Sequence, residues 1–160
     1  MTLVPVGLSC AELATWRTFL RAHATVVRTL EHELLAEHEL PLASYDVLVQ
    51  LSEAPDRRLR MTELADRVLL SRSGLTRLAD RLERDGLLTR EACPSDARGT
   101  LAVLTDTGLT RLRQAWPTHL RGVSEHVTGR LSAAEVEQLG VLLGKLVGAP
   151  EVEGSCGAAP

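Results

Sequence analysis

Apolar residues recur in threes and fours along most of this chain, and the recurrence breaks where proline, glycine or an Arg-rich run intervenes. Leu13, Trp16, Leu20, Val27, Leu30 and Leu34 predict one long amphipathic helix reaching about Glu37. Ser9 and Glu12 form a capping box at its start, and Pro41 lies beyond its end. Ser44 is expected to cap a second helix over Tyr45–Glu53, with Val47, Leu48 and Leu51 turned inward. Pro55 and Asp56 then make a turn before RRLRM, which reads as a short strand able to pair with a later hairpin.

The stretch from Met61 to Thr105 has a denser pattern. Thr62 suits the start of a short helix whose Leu64, Ala65, Val68 and Leu69 share a face, and only Leu70 and Ser71 separate it from the next. Ser71 is the natural N-cap of that next helix; Leu75, Leu78, Ala79 and Leu82 make its buried stripe, and Gly86 can close it. Ala65 and Gly74 are small enough to let the two helices cross closely. The runs Leu87–Ala92 and Thr100–Leu104 suit strands, joined by the turn-forming loop CPSDARG. Helix, tight turn, helix and hairpin together read as a helix-turn-helix with a β-hairpin wing.

Opposite the leucine stripe lie Arg72, Ser73, Thr76, Arg77, Asp80, Arg81 and Arg84. Ser73, Thr76 and Arg77 fall in the first two turns, the part of a recognition helix that meets base edges in the major groove. An arginine forks onto guanine, and Ser or Thr serves a base or a phosphate. Ser71 stands at the helix N-terminus, which attracts phosphate, and Arg72 and Arg84 suit phosphate contacts. Arg98 at the loop tip suits a narrow minor groove, with Asp96 able to orient its guanidinium.

After the wing, Thr105 caps a helix through Asp106–Gly122 or somewhat beyond, and Pro117 inside it predicts a kink or break near Trp116. Ser132 and Glu135 form a second capping box, followed by Val136, Leu139, Leu143, Leu146 and Val147 along one side. Gly140 and Gly144 each cost about 1 kcal/mol against Ala in a helix interior, which close packing on another helix would explain. The last residues, 149–160, are expected to be unstructured. One lobe at about 42–105 cannot bury two long terminal helices, at about 9–38 and 106–148. A homodimer of intertwined terminal helices follows, with two recognition helices about 34 Å apart on a pseudo-palindrome.

Composition changes this picture little. The 160 residues carry only 2% aromatics and a net charge of −3. Residues 57–98 nevertheless hold ten arginines against seven acids, a local +3, while the remainder holds eight bases against fourteen acids, −6. Attraction to phosphate acts over about 8 Å at physiological salt, so the local charge governs. Three scattered cysteines, no basic leader and no bilayer-length apolar run point to the cytoplasm. No nucleophile motif or glycine-rich phosphate loop supports an enzyme, and no cofactor is expected. The five histidines lack the spacing of a helical zinc site, and His32, Glu33, Glu37 and His38 read as a solvated helix end, so no metal is expected.

The stretch MTELADRVLLSRSGLTRLADRLERDGLLTRE, with the wing's SDARGTLAVLT, resembles the winged-helix core of the MarR family of bacterial transcriptional regulators. The resemblance spans nearly the whole chain. It implies a mainly α fold with a small β-hairpin wing, a triangular homodimer on double-stranded DNA, Arg77 as recognition-helix arginine and Arg98 as wing arginine. It further implies small phenolic or aromatic acid effectors between the dimer helices and the DNA lobe, where Trp16, His23 and Tyr45 are the polar aromatics available and Arg17 or Arg28 could pair a carboxylate. Cys10, in the first turn after Ser9, is a redox candidate, and Cys93 at the wing loop a weaker one. The expected function is therefore a ligand-responsive repressor. The alternatives are a metal- or redox-responsive regulator of the same fold and a protein–protein adaptor that does not bind DNA.

Overall fold

Ser9 opens the longest helix through the reciprocal capping box that its sequence predicts: its hydroxyl accepts from the Glu12 amide at 3.2 Å, and Glu12 accepts the Ser9 amide at 2.7 Å. The computed structural model describes residues 7–93 and 96–148, without the side chains of 97 and 98. In it α1 runs Cys10–His38, α2 Leu42–Glu53, β1 Arg58–Arg60, α3 Met61–Arg67 and α4 Arg72–Arg84. The hairpin follows as β2 Leu88–Cys93 and β3 Asp96–Leu104, then α5 Asp106–His126 and α6 Ala133–Val147. Short 3-10 turns at Pro55–Arg57 and Thr128–Arg130 complete the order.

The strands form one antiparallel sheet in the order β1-β3-β2, so the RRLRM segment pairs with the hairpin as its pattern predicts. Leu59 and Ala102 face each other in that register and both are buried. The core gathers Leu34 of α1, Tyr45, Leu48 and Leu51 of α2, the α4 stripe, Leu88 and Leu104 of the hairpin, and Leu109 and Leu112 of α5. Burying such side chains contributes roughly 1.5–3 kcal/mol each, so this one cluster welds the lobe to the base of α5.

Several local expectations are corrected. Pro41, not Ser44, is the N-cap of α2; Ser44 lies inside the helix and is buried. Proline loses nothing there, because the first amides of a helix have no partner within it. Arg60, not Thr62, precedes α3, which has no side-chain cap because β1 runs straight into it. Four residues rather than two separate α3 from α4. Within that turn Leu69 leaves the inward face: it takes φ 54° and is 91% exposed, while Leu70 packs on the core instead. A Cβ on Gly74 would meet the Ser71 hydroxyl at 3.0 Å, so Gly74 clears the cap and not a helix crossing.

α5 continues unbroken through Pro117. Pro117 and Arg113, the residue one turn before it, both lie on the exposed side, where a proline costs a helix least. Gly108 brings α5 against the hairpin; a Cβ there would lie 2.0 Å from the Leu87 carbonyl oxygen. At the end of α1 His32 and Glu37 are exposed as expected, while Glu33 and His38 are half-buried against α5. Glu37 accepts from Thr118 at 2.9 Å and from Arg121, His38 meets Thr118 at 2.8 Å, and Glu33 meets His126 at 2.6 Å, all on α5. This polar seam exists because α1 and α5 lie side by side.

Two apolar faces remain uncovered. α6 buries none of its residues, with Leu142 50% and Leu146 71% exposed. In α1 the buried residues are Leu30 and Leu34, and Leu13, Trp16, Phe19 and Leu20 are exposed. Open space surrounds Gly140 and Gly144 within the single chain. No helix among the described residues is long and apolar enough to cross a membrane.

Candidate nucleic-acid interface

α4 owes its orientation to the stripe Leu75, Leu78, Ala79 and Leu82, each at most 3% exposed, which presses one side of the helix into the core. The other side must then face outward. Ser71 caps it by accepting the Gly74 amide at 3.1 Å, and its hydroxyl lies 3.3 Å from that of Ser73. Arg72, Ser73, Thr76, Arg77 and Arg84 are all exposed. Thr76 donates to the Arg72 carbonyl at 2.9 Å, Arg77 Nε to the Ser73 carbonyl at 3.4 Å and Arg84 Nε to the Asp80 carbonyl at 3.2 Å. The structure thus brings the candidate α4 residues onto one open face.

Gly86, with φ +70°, ends the helix and turns the chain into β2. A cleft of about 380 Å³ runs between α4 and the sheet, bordered by Thr76, Arg60, Arg90, Asp96, Gly99 and Thr100. Asp96 is exposed at the start of β3 and pairs with Arg60 Nη1 at 3.0 Å, a partner that sequence spacing did not suggest. Arg98 lies on β3, and its side chain falls outside the described residues, as does the loop at 94–95. A second unforeseen group is Arg90, which reaches from β2 to Asp80 at 2.8 Å and Glu83 at 2.5 Å on α4. Its hydrogen bonds hold the Glu83 carboxyl below the usual carboxylate range. Both residues are plain in the sequence, but the pair spans the end of α4, the Gly86 turn and the start of β2, where helical spacing no longer applies.

The other candidates are dispersed. Trp16 stacks on Phe19 at 6.1 Å between ring centroids, and Trp16, Arg17 and His23 lie on the exposed part of α1. Trp16 stands about 27 Å along the helix from Leu34, the α1 residue in the core with Tyr45, so one chain does not bring these four residues together. Tyr45 is 2% exposed and tilts against His119 at 4.4 Å; its hydroxyl and His119 Nδ1 are buried without a hydrogen-bond partner. Burial pushes the Tyr45 phenol up and the His119 imidazole down. Cys10 is exposed in the first turn of α1, whereas Cys93 is buried against Gly99. Glu33, Glu125 and His126 bring one ligand atom each within 4.8 Å, the group among the described residues that could hold a cation. The 2.6 Å contact of His126 with Glu33 already gives two of them a structural task.

Comparison with known proteins returns related chains. A family model described as MarR family matches residues 38–99. YkoM of Bacillus subtilis, an HTH-type transcriptional regulator, is 35% identical over 132 residues, covering 81% of this chain and 82% of the relative. The HTH-type transcriptional repressor YetL of the same organism is 34% identical over 117 residues, covering 73% of this chain and 69% of its own. Among solved structures, Sco3205 of Streptomyces coelicolor, a MarR family transcriptional regulator in complex with DNA, superposes with a TM-score of 0.85 at 36% identity over 97% of this chain and 98% of that one. The likeness extends from α1 to α6, well beyond the helix-turn-helix, and with it the chain belongs to the MarR family of transcriptional regulators.

Proposed function

We propose that this chain is a homodimeric, sequence-specific repressor that reads a pseudo-palindromic operator in double-stranded DNA. The observation that carries this reading is the open face of α4: Ser73, Thr76 and Arg77 in its first two turns, backed by a fully buried stripe. Ser73, Thr76 and Arg77 read the major groove. Ser71, Arg72 and Arg84 position the helix on phosphates, and Arg98 enters the minor groove from a strand whose start Arg60 holds through Asp96. The uncovered faces of α1 and α6 supply the dimer contact that sets the spacing of the two lobes. The neighbour solved in complex with DNA and the relative named a repressor support this assignment.

Effector control rests on Tyr45 and His119, whose unpartnered polar atoms face the α2–α5 core beneath the lobe. A small phenolic or aromatic acid satisfying them acts by favouring a lobe spacing that no longer fits the operator. The test is selection of bound duplexes from a random pool, with and without such acids. Selection should return an inverted repeat, and Arg77→Ala should lose about 1–3 kcal/mol on it and relax preference at one base pair. Retention independent of sequence and insensitive to salt would instead mark a protein–protein adaptor.

A further inference from the structure

Along the chain Asp85, Gly86 and Leu87 link the recognition helix to the hairpin, with Gly86 in a left-handed conformation, and the shared core of Leu82, Leu88 and Leu104 anchors the hairpin at its base. β3 spans about 26 Å from Leu104 to Asp96. A swing of about 10° at its base would therefore displace the tip by about 4–5 Å, more than the length of a hydrogen bond. Something must hold that angle if helix and wing are to engage one duplex together.

Arg90 is placed to do so. It lies on β2 two residues beyond buried Leu88, and its side chain reaches back to α4. Nε and Nη2 donate to Glu83 Oε2 at 2.9 and 2.5 Å, and Nη2 also meets Asp80 Oδ1 at 2.8 Å. The Arg90 backbone N–H donates to Glu83 Oε1 at 3.1 Å, so one carboxylate grips both main chain and side chain of the strand. Charge-assisted forks of this kind fix geometry as well as distance. Arg90 also borders the cleft between α4 and the sheet that holds Thr76. We infer that Arg90 is a positioning residue for DNA reading, clamping the wing to the recognition helix through Glu83 and Asp80. The inference rests on the DNA-reading function proposed above and adds a residue assigned to neither groove.

The test uses the full chain and the duplex it selects, with one version altered at half-site base pairs and one at the A·T flanks. Glu83→Gln makes the lobe more positive. If the clamp is right, it nevertheless weakens binding about five- to tenfold, erases discrimination at the flanks, keeps discrimination at the half-site, and speeds amide exchange in β2 and β3. Tighter binding on every duplex would show that only charge matters and would overturn the clamp. Arg90→Lys keeps the charge and loses the fork, so it should behave as Glu83→Gln does; wild-type binding and flank preference would also overturn it. Should either variant lose its fold by circular dichroism, the exchanged pair Glu83→Arg with Arg90→Glu decides. Recovered flank discrimination supports the clamp, and discrimination lost in a folded protein refutes it. A wild-type chain that selects no motif fells the DNA-reading function itself, before any variant is compared.

Discussion

A single hydrogen atom at position 108 lets α5 leave the hairpin where it does. With a Cβ 2.0 Å from the Leu87 carbonyl oxygen and 2.7 Å from Leu104 Cδ1, Gly108→Ala must move backbone, not merely a side-chain tip. It should destabilise the chain by about 1–3 kcal/mol in urea unfolding with little change of slope. His119 shows the opposite economy, a polar atom kept where burial disfavours its charge. Its folded pKa is lowered, so the unfolded chain binds the proton first and stability falls as pH drops through the ordinary histidine value towards the folded one. His119→Phe keeps a ring against Tyr45 and should show a smaller drop in Tm between about pH 7.5 and about pH 5.5. An unchanged drop would place the acid sensitivity on another group, but not on Glu37, whose carboxyl the Thr118 hydroxyl holds below its usual range and which therefore loses its contribution only at more acid pH.

Among the elements, those that obey one rule of spacing and one cap were legible. The capping boxes at Ser9 and Ser132, the Ser71 and Thr105 caps and the α4 stripe all stand where their residue types put them. Ser71→Ala should therefore cost about 0.5–2 kcal/mol of stability, read by thermal unfolding, by leaving the Gly74 amide unpaired at the end of α4. What was illegible turns on competition between near neighbours in some places and on partners in other elements elsewhere. Ser44 looked like a cap, yet Pro41 precedes it and begins the helix a turn earlier. Leu69 looked like core, yet the turn between α3 and α4 needs a left-handed residue and Leu70 fills the space. The face of α4 could be read from its stripe; Arg90 gripping Glu83 and Arg60 gripping Asp96 could not, because one pair closes from strand to helix and the other from strand to strand, in placements no local pattern sets.

At the scale of the whole molecule, the arginines concentrate on the lobe and the uncovered leucines on the helices at either end of the chain. Deleting the chain from Ser132 onward should leave the lobe folded and abolish the dimer, measured by light scattering after size exclusion. A folded dimer of that fragment would move the interface to α1 alone. Leu143→Glu should weaken the dimer in the same assay, because a carboxylate cannot enter a dry helix contact without a partner. An α6 with none of its side chains buried also has a bearing on gene dosage. If pairing supplies its only shelter, then below the pairing constant the number of competent readers falls with the square of copy number. Halving expression would then quarter them, and a graded supply of protein would act on its promoter as a threshold.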